Sequence, residues 1–425
     1  MNKPKKKTKA MPLRVGTLFS GIGAFEQALK QLGIEHEIVF ACDNGEIELI
    51  PLDPPDKKEY LRLTKKKKEE RSKEEERHLK KLGQQIAKKN SEFLAAVRGM
   101  KTIAEKESYV RSLYEKYVGQ RENLVRKSYL ANYSMRQEDF HQDVRFMDGR
   151  DYAGKVDILV GGSPCQSFST YGLKRGLEDA RGTLFYDYAR LIKEVQPKVF
   201  IYENVRGLLM HDKGNTWKII KGVFDSLDYD IGEPQVLNAQ DYGLPQMRRR
   251  LFVVGIKRSL KAGPFKYPQK IPLIRKATDY LTPSDEVPIE YYLPEKGYKW
   301  TTEIERSQNK ARMNRDIIGC QTAVQQFNWS GDFRMEVAQQ RHRKAPGVYV
   351  TKYNGPIERL REEFQGKEVV VRKLMPEECL RLMGFEGFKI VVDDQVAYRQ
   401  SGNSIAVPVL KALVGEILKQ VSLLI

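Results

Sequence analysis

The feature that most limits the possible folds is the stretch 13–45, which reads LRVGTLFSGIGAFEQALKQLGIEHEIVFACDNG. An apolar, β-prone run leads into a turn with Gly21 and Gly23, a helical stretch follows up to Gly33, and a second buried strand ends at Asp43. A strand, turn, helix and strand in this order are typical of the start of a doubly wound α/β sheet. The two glycines would let the backbone approach a ligand closely, and an acidic residue about twenty positions further on can bind ribose hydroxyls.

The same alternation of strands and helices resumes at residue 136 and continues to residue 258. We therefore expect an α/β fold with a doubly wound, Rossmann-like large domain. The turn at 21–23 lacks the third glycine of the dinucleotide fingerprint, so it does not indicate NAD. A site for S-adenosylmethionine uses the same geometry without a pyrophosphate cradle.

Charge and cysteine content narrow the class of protein. The net charge of +18 and the pI of about 9.4 favour a polyanionic partner, most often nucleic acid. The four cysteines are widely spaced and form no CxxC pair, which argues against a disulfide framework and against a zinc site. The sequence has no secretory signal and no apolar run long enough to cross a membrane, so a cytoplasmic protein is expected.

The stretch 56–135 interrupts this pattern and is called the insert below. It is dense in charged helix formers and poor in aliphatic residues, which predicts two or three long, exposed helices. Both signs of charge are interleaved. The insert is therefore either a solvated or partly disordered arm, or a basic arm that lies on DNA phosphates.

A lone thiol stands in the segment GGSPCQSFS, residues 161–169. A free cysteine is most often a small buried apolar side chain. Here Cys165 follows a predicted strand that ends in glycine, in a stretch poor in packing side chains. In an open α/β sheet, a loop after such a strand is where ligands usually bind.

Five blocks now occur in a fixed order: FSGIGAF, GGSPCQSFS, YENV, QMRRR and SGNSIAVPVL. In sequence and order they closely resemble the bacterial DNA cytosine-C5 methyltransferases of restriction-modification systems. The blocks cover about 13–43, 141–258 and 370–425. The resemblance implies a basic tail at 1–12, a catalytic domain at 13–269 that contains the insert, a target-recognition domain at 270–372, and a return to the catalytic domain at 373–425.

The resemblance also implies the catalytic residues. Cys165 would add to C6 of cytosine, because C5 is a poor nucleophile until the ring becomes an enamine. Glu203 would hydrogen-bond N3, Arg250 would hold O2, and Arg248 would help to order the site. Other readings are a structural carboxylate at a strand end for Glu203 and phosphate-facing surface charge for the two arginines.

The resemblance implies S-adenosylmethionine as the cofactor and no metal. The residues implied at its site are Phe19, Gly21, Gly23, Asp43, Asp143, Leu184, Asn403 and Ser404. Asp43 would bind the ribose and Asp143 the adenine amino group, while Phe19 and Leu184 would contact the adenine ring. The family usually has a glutamate at the position of Asp43 and an aromatic residue at that of Asn44. Phe19 could instead be core packing, and Asp143 a turn residue.

Double-stranded DNA is the partner that the resemblance implies, and a base inside a duplex must be flipped out to reach Cys165. The loop 166–183 would close over the base, with Tyr171 where its tip would enter the gap. The residues expected to contact base edges are Gln325, Asn328, Arg334 and Arg341. With one variable segment, we expect one recognition sequence.

The sequence therefore predicts a monomeric enzyme that methylates a flipped-out cytosine through a covalent Cys165 adduct and protects host DNA, with an independently acting endonuclease as its counterpart. Such an enzyme would be cytoplasmic and associated with the nucleoid. Two alternatives stay open: a tRNA cytosine-C5 methyltransferase and a non-catalytic DNA-binding relative. The separate recognition domain favours DNA over tRNA, and the intact Cys165, Glu203 and Arg250 argue against a non-catalytic protein.

Overall fold

The computed structural model describes residues 11–164, 184–302, 311–324, 326, 329–355, 357–421 and 424. The chain divides into two compact units. The first unit comprises Met1–Val236, Arg250–Tyr267 and Val414–Ile425, and the second comprises Leu237–Arg249 and Pro268–Leu413. The second unit therefore includes residues 373–413. The sequence analysis predicted that these residues belong to the part of the chain that returns to the catalytic domain. The four-part division by role stays a prediction.

The larger sheet has eight strands within the described residues, in the order β3-β2-β1-β4-β5-β8-β6, with β7 paired to β8. The strands are β1 (Leu13–Leu18), β2 (His36–Cys42), β3 (Phe140–His141), β4 (Ile158–Gly161), β5 (Val199–Val205), β6 (Tyr229–Ile231), β7 (Gln235–Asn238) and β8 (Arg249–Lys257). Neighbouring strands among the first five are parallel, and β8 is antiparallel to both β5 and β6. Together with the helices that alternate with these strands, this confirms the predicted α/β fold.

The strand order reverses between β1 and β4, since the chain runs from β1 outward to β2 and β3 and then returns to β4 on the other side of β1. In such sheets the ligand crevice lies at the carboxyl ends of the strands beside this switch point. The core beneath it is almost fully buried and includes Leu18, Phe40, Leu159, Tyr188 and Phe200. This packing gives the loops at the switch point a rigid base.

Helices alternate with these strands. They are α1 (Ala24–Gln31), α2 (Pro54–Lys65), α3 (Lys73–Gly99), α4 (Ile103–Tyr117), α5 (Leu124–Asn132), α6 (Leu184–Val195) and α7 (Asn215–Asp225). Helix α1 starts at the left-handed Gly23 (φ 81°) and ends just before Gly33 (φ 67°), the glycine predicted to end it. Helix α6 buries Phe185, Tyr188 and Ile192 at helical spacing, which directs its apolar face to the core.

The insert corresponds to helices α2 to α5, of which α3 and α4 begin with complete capping boxes at Ser72 and Thr102. The expectation of exposed helices is wrong for its C-terminal part. Helices α3 and α4 bury Val97 and Val110 in a cluster with Ile47 and Phe146. The apolar residues of the insert are few, but their helical spacing gathers them on faces that pack against the catalytic domain. The insert is therefore a packed part of the first unit.

The second unit contains a four-stranded sheet in the order β11-β12-β10-β9, among the residues that the structure describes. Its strands are β9 (Ala311–Met313), β10 (Gly331–Val337), β11 (Thr351–Lys352) and β12 (Glu368–Lys373). Its helices include α8 (Glu295–Thr302), Gln340–Lys344, Glu358–Phe364, Pro376–Arg381 and Asp394–Asn403, and Val407–Gln420 continues into the first unit. Its core packs Phe333, Met335 and Val371 against Leu360 and Phe364.

Within the described residues, Asp394–Gln420 is long and apolar enough to cross a membrane by length and composition alone. Of its most apolar part, 56% is buried inside the protein, as is common in the core helices of soluble proteins. Such a helix is weak evidence for a membrane span.

Candidate active site

The side chains assigned to the cofactor and to the base follow adjacent strands of the larger sheet. Phe19 follows β1, Asp43 follows β2, and Asp143 stands two residues beyond β3. The segment from Gly162 follows β4, and Glu203 lies near the end of β5. Because these strands are parallel, their carboxyl ends share one edge of the sheet, beside the switch point.

The loop after β1 has an unusual backbone. Phe19, Gly21 and Gly23 all have positive φ angles of 54°, 55° and 81°. For a non-glycine residue this conformation costs about 1–3 kcal/mol and is found mainly where a site requires it. A methyl group built on Gly21 would meet nothing within 4 Å, so the backbone is open to a ligand there. The half-buried Phe19 packs partly against the core.

Asp43 links the loops after β1 and β2. Its Oδ2 accepts a hydrogen bond from the Gly21 amide at 2.9 Å, and its Oδ1 accepts one from the Gly45 amide at 2.8 Å. Burial raises the pKa of the Asp43 carboxyl, although both amides favour its ionised form. Each oxygen keeps accepting capacity, as a ribose-binding carboxylate requires. The unusual Asn44 forms a local turn by accepting from the Glu46 amide at 3.0 Å.

Asp143 is buried, and its carboxylate already has several protein partners. The Arg145 guanidinium donates to Oδ1 from Nε at 3.0 Å and to Oδ2 from its terminal nitrogen at 2.6 Å. The Arg145 amide and the Tyr114 hydroxyl donate at 3.0 and 2.8 Å. A carboxylate has about four accepting positions. The role of Asp143 as acceptor of the adenine amino group stays a prediction. In this structure the carboxylate oxygens of Asp143 orient the side chains of Arg145 and Tyr114.

The two glycines before the predicted nucleophile stand where no side chain fits. A methyl group on Gly161 would lie 2.7 Å from the Leu18 carbonyl oxygen and 2.8 Å from the Tyr188 ring. On Gly162 it would lie 2.5 Å from the carbonyl oxygen of Glu203 and 2.9 Å from its carboxylate. The pair therefore allows the β4 loop to lie directly against β1 and against the functional part of β5.

A buried polar network fixes the loop after β4. Asn204 donates from Nδ2 to the Ser163 carbonyl at 2.9 Å and to the Tyr202 hydroxyl at 2.8 Å. The hydroxyls of Ser163 and Tyr202 are 3.0 Å apart. The Asn204 Oδ1 accepts from the Val205 amide at 2.8 Å, so both ends of the amide are used. The network holds the segment that leads through Pro164 to Cys165, which itself lies outside the described residues.

Glu203 and Arg250 form an ion pair at the same edge. The distance between Arg250 Nε and Glu203 Oε1 is 3.2 Å, and the side chains are 18% and 14% exposed. Strand β8 runs antiparallel to β5 with Val205 opposite Arg250, which places Glu203 and Arg250 on one face of the sheet. Two hydrogen-bonding groups of opposite charge thus stand together, partly shielded from water, next to Gly162.

Arg248 lies in the second unit and is almost completely buried. Its guanidinium donates to the carbonyls of Gln321 at 2.8 Å, Gly402 at 2.9 Å and Ser404 at 2.5 Å. It thereby holds the segment of the predicted cofactor residues Asn403 and Ser404. Asn403 is exposed and Ser404 is buried. The ordering role of Arg248 in the active site stays a prediction; the structure shows that its guanidinium binds these three backbone carbonyls.

The remaining predicted residues are placed as follows. Leu184 begins α6, is half-buried and packs partly against the core. Tyr171, Gln325 and Asn328 lie outside the described residues.

The two arginines predicted to read bases lie in the second unit. Arg334 is half-buried on β10, and burial lowers the pKa of its guanidinium. Arg341 donates to the carbonyls of Asp285, at 2.7 Å, and of Val287. The base-reading role of both arginines stays a prediction. In this structure the guanidinium of Arg341 binds the backbone of its own unit.

Sequence reasoning missed the residues that support the site. Ser163, Tyr202 and Asn204 belong to quoted blocks, but nothing in their spacing indicates that they bind one another. Tyr114 and Asn123 lie in the insert, far from any block, and no signal in a single sequence links them to the cofactor loops. The described residues contain no cluster of metal-binding side chains. Cys42, Cys320 and Cys379 form no disulfide within the part of the chain that the structure describes.

Comparison with known proteins identifies the family of this chain. The model of the family described as C-5 cytosine-specific DNA methylase matches residues 106–419. The chain is 36% identical over 271 residues to the Type II methyltransferase M.HpaII of Haemophilus parainfluenzae, covering 63% of this chain and 73% of that protein. It is 30% identical over 340 residues to the Type II methyltransferase M1.ScrFI of Lactococcus lactis subsp. cremoris, covering 77% of each.

Among solved structures, the Dnmt2 methyltransferase of S. pombe matches 96% of this chain and 99% of its own, with a TM-score of 0.55 and 16% identity. This likeness shows the fold. The family match covers most of the chain and begins inside the insert. The chain therefore belongs to the C-5 cytosine-specific DNA methylases, enzymes that transfer a methyl group to C5 of cytosine in DNA.

Proposed function

We propose that this enzyme methylates a flipped-out cytosine in one specific duplex sequence through a covalent bond between Cys165 Sγ and C6 of the base. The observation that carries the proposal is the convergence of Glu203, Arg250 and the Gly162–Pro164 segment at one edge of the sheet. Cys165 is the next residue in the chain after that segment. Addition to a pyrimidine ring needs a nucleophilic thiol together with a carboxyl and a guanidinium that hydrogen-bond the ring.

The proposed reaction has three steps: addition of the thiolate, methyl transfer and elimination. The Cys165 thiolate adds to C6, and the electron pair of the C5–C6 double bond moves to C5, with Glu203 hydrogen-bonded at N3 and Arg250 at O2. C5 would then form a bond to the methyl group of the donor as the bond from that group to the sulfonium sulfur breaks, and the electron pair of the broken bond would stay on the sulfur of S-adenosylhomocysteine. Loss of the C5 proton to water or hydroxide restores the double bond and expels the thiolate. Positive charge near the thiol would favour its ionised form.

S-adenosylmethionine supplies an electrophilic methyl group when it is bound. The residues of the first unit fit such a ligand, since the backbone at Gly21 is open and the Asp43 carboxylate keeps accepting capacity for hydroxyl donors. Phe19, Gly21 and Gly23 would bind along the loop after β1, with Asp43 at the ribose. Leu184, Asn403 and Ser404 are the other proposed contacts.

Its biological role would be protection of host DNA in a restriction-modification system. Several similar proteins are named Type II methyltransferases, which supports this role. In that setting the enzyme acts as a monomer in the cytoplasm, bound to the nucleoid, beside an endonuclease that cleaves independently. The net charge of +18 supports binding to DNA through electrostatic attraction to its phosphates.

Bisulfite sequencing of DNA from cells that express the protein tests the proposal. One sequence context should be methylated in cells with the wild type. The variant Cys165→Ser should give no methylation and bind S-adenosylmethionine as the wild type does, because a hydroxyl is a far weaker nucleophile at neutral pH. Methylation by Cys165→Ser, or methylation without any sequence preference, would overturn the proposal.

A further inference from the structure

We infer that three side chains of the insert, Tyr114, Asn123 and Tyr133, are positioning residues for the S-adenosylmethionine site. The inference rests on the proposed function, since the loops they hold are the proposed cofactor loops. Each of the three contacts a different loop: the one after β1, the one after β2, or the one after β3. The insert would then set the affinity of the enzyme for its methyl donor.

Tyr133 holds the loop after β1. Its hydroxyl donates to the Gly23 carbonyl at 2.7 Å. Its ring lies directly against the α-carbon of this glycine, because a methyl group there would come within 2.2 Å of the ring. Gly23 has a φ of 81°, one of several conformations that glycine adopts freely, so contacts from outside the loop are what select it. Tyr133 supplies a hydrogen bond and a surface at this point.

Asn123 holds the loop after β2. Its Nδ2 donates to the backbone carbonyl of Asp43 at 2.7 Å and to the Gln142 side chain at 3.1 Å. Its Oδ1 accepts from the Arg126 amide at 2.9 Å and so caps α5. A methyl group on Gly45 would lie 2.3 Å from this oxygen, which shows how closely the two segments approach. One amide thus joins the start of α5 to the proposed ribose-binding residue.

Tyr114 holds the loop after β3. Its hydroxyl donates to Asp143 Oδ2 at 2.8 Å, and the Ile47 carbonyl lies 3.4 Å from it. Burial raises the pKa of the Tyr114 phenol well above its usual range, with the Asp143 carboxylate as a further cause. The phenol therefore stays a hydrogen-bond donor at any working pH. With Arg145 on the same carboxylate, it fixes the direction in which Asp143 points.

The insert is anchored firmly enough to act in this way. Lys106 on α4 is buried and donates to Asp148 at 2.9 Å and to Asp151 at 2.6 Å. Arg98 at the end of α3 is paired with Glu194 on α6. The ion pairs of Lys106 and Arg98 attach the insert to the catalytic domain without the three positioning residues. The apolar cluster around Val110, to which the Tyr114 ring belongs, adds to this attachment.

The test is the affinity for S-adenosylhomocysteine, measured by calorimetric titration of the full-length protein without DNA. The variants Tyr114→Phe, Asn123→Asp and Tyr133→Phe each remove donors, and the aspartate keeps the helix cap. Tyr114→Phe and Tyr133→Phe should each weaken binding about fivefold, the loss that one neutral hydrogen bond of about 1 kcal/mol would cause. Asn123→Asp should weaken it at least as much, because it loses both Nδ2 hydrogen bonds and sets a carboxylate oxygen against the Asp43 carbonyl. Because the contacts are on different loops, the triple variant should lose about a hundredfold.

Steady-state kinetics separate positioning from general destabilisation. The KM for S-adenosylmethionine should rise, while kcat, the affinity for DNA and the methylated sequence stay as in the wild type. The matched control is Tyr109→Phe, which removes a phenol hydroxyl from α4 that has no hydrogen-bond partner among the described residues. It should leave the affinity for the cofactor product unchanged.

Wild-type affinity in the triple variant would overturn the inference. So would an equal loss of thermal stability, DNA affinity and cofactor affinity, because that is the pattern of a merely structural role. Failure of the proposed function would look different: it would show as methylation by Cys165→Ser or as methylation without sequence preference. Failure of the proposed cofactor would show as wild-type protein that does not bind S-adenosylhomocysteine.

Discussion

The substitution Gly162→Ala should slow catalysis about a hundredfold while leaving the fold and cofactor binding intact. The added methyl group would lie 2.5 Å from the carbonyl oxygen of Glu203 and 2.9 Å from its carboxylate, whereas ordinary contacts begin at 3.4 Å. Relief of the first contact alone requires a shift of about 1 Å in β5 or in the β4 loop, at a cost of about 1–3 kcal/mol in stability. A displacement of this size at reacting groups lowers a rate about a hundredfold.

The assay is a single-turnover measurement of methyl transfer to duplex DNA, with urea unfolding and cofactor titration on the same preparations. The matched control is Gly207→Ala, because a methyl group on Gly207 would meet nothing within 4 Å. We expect a rate loss of about a hundredfold in Gly162→Ala and none in Gly207→Ala. A wild-type rate in Gly162→Ala would show that the close approach to Glu203 does not matter for catalysis.

Three further predictions concern other parts of the chain. Glu26 is 1% exposed, and burial raises the pKa of its carboxyl. The folded state therefore binds this proton more tightly than the unfolded state does. As the pH rises through the raised pKa, the free energy of unfolding should fall. Glu26→Gln should remove this fall. If urea unfolding shows the same pH dependence for Glu26→Gln as for the wild type, the prediction is contradicted. Arg248→Lys should cost about 2–4 kcal/mol in unfolding experiments, because a lysine cannot reach three carbonyls at once; unchanged stability would refute that reasoning. If the exposed part of the insert binds phosphates, replacing Lys80, Lys81 and Lys88 by glutamine should reduce the slope of log affinity against log salt by about three, and an unchanged slope would disprove the DNA-arm hypothesis.

The sequence was sufficient to predict the fold, whereas the roles of the site residues stay predictions. Strand and helix periodicity predicted β1, α1 and β2 closely, and the order of the blocks predicted which loops would lie together. This succeeded because the carboxyl ends of parallel strands necessarily share an edge. The ion pair between Glu203 and Arg250 follows from the pairing of β5 with β8.

The insert could not be predicted in the same way. Its charge suggested an exposed arm, yet Tyr114 and Asn123 reach the cofactor loops across 29 and 80 residues of sequence. Such contacts depend on how helices pack, and a single sequence carries no periodic signal for a hydrogen bond between distant residues. A design that replaces 56–135 by a short linker would therefore expose the cluster around Val110 and free three cofactor loops.

The covalent mechanism is the central claim, and a duplex with 5-fluorocytosine at the target position tests it most directly. After methyl transfer, fluorine on C5 cannot leave as a proton does, so the enzyme should stay bonded to C6 of the base. Mass spectrometry of the digested complex should find the nucleotide on the peptide that contains Cys165, and the Cys165→Ser variant should give no adduct. Methylation of the ordinary site without any adduct on the fluorinated one, or an adduct on another residue, would contradict the mechanism.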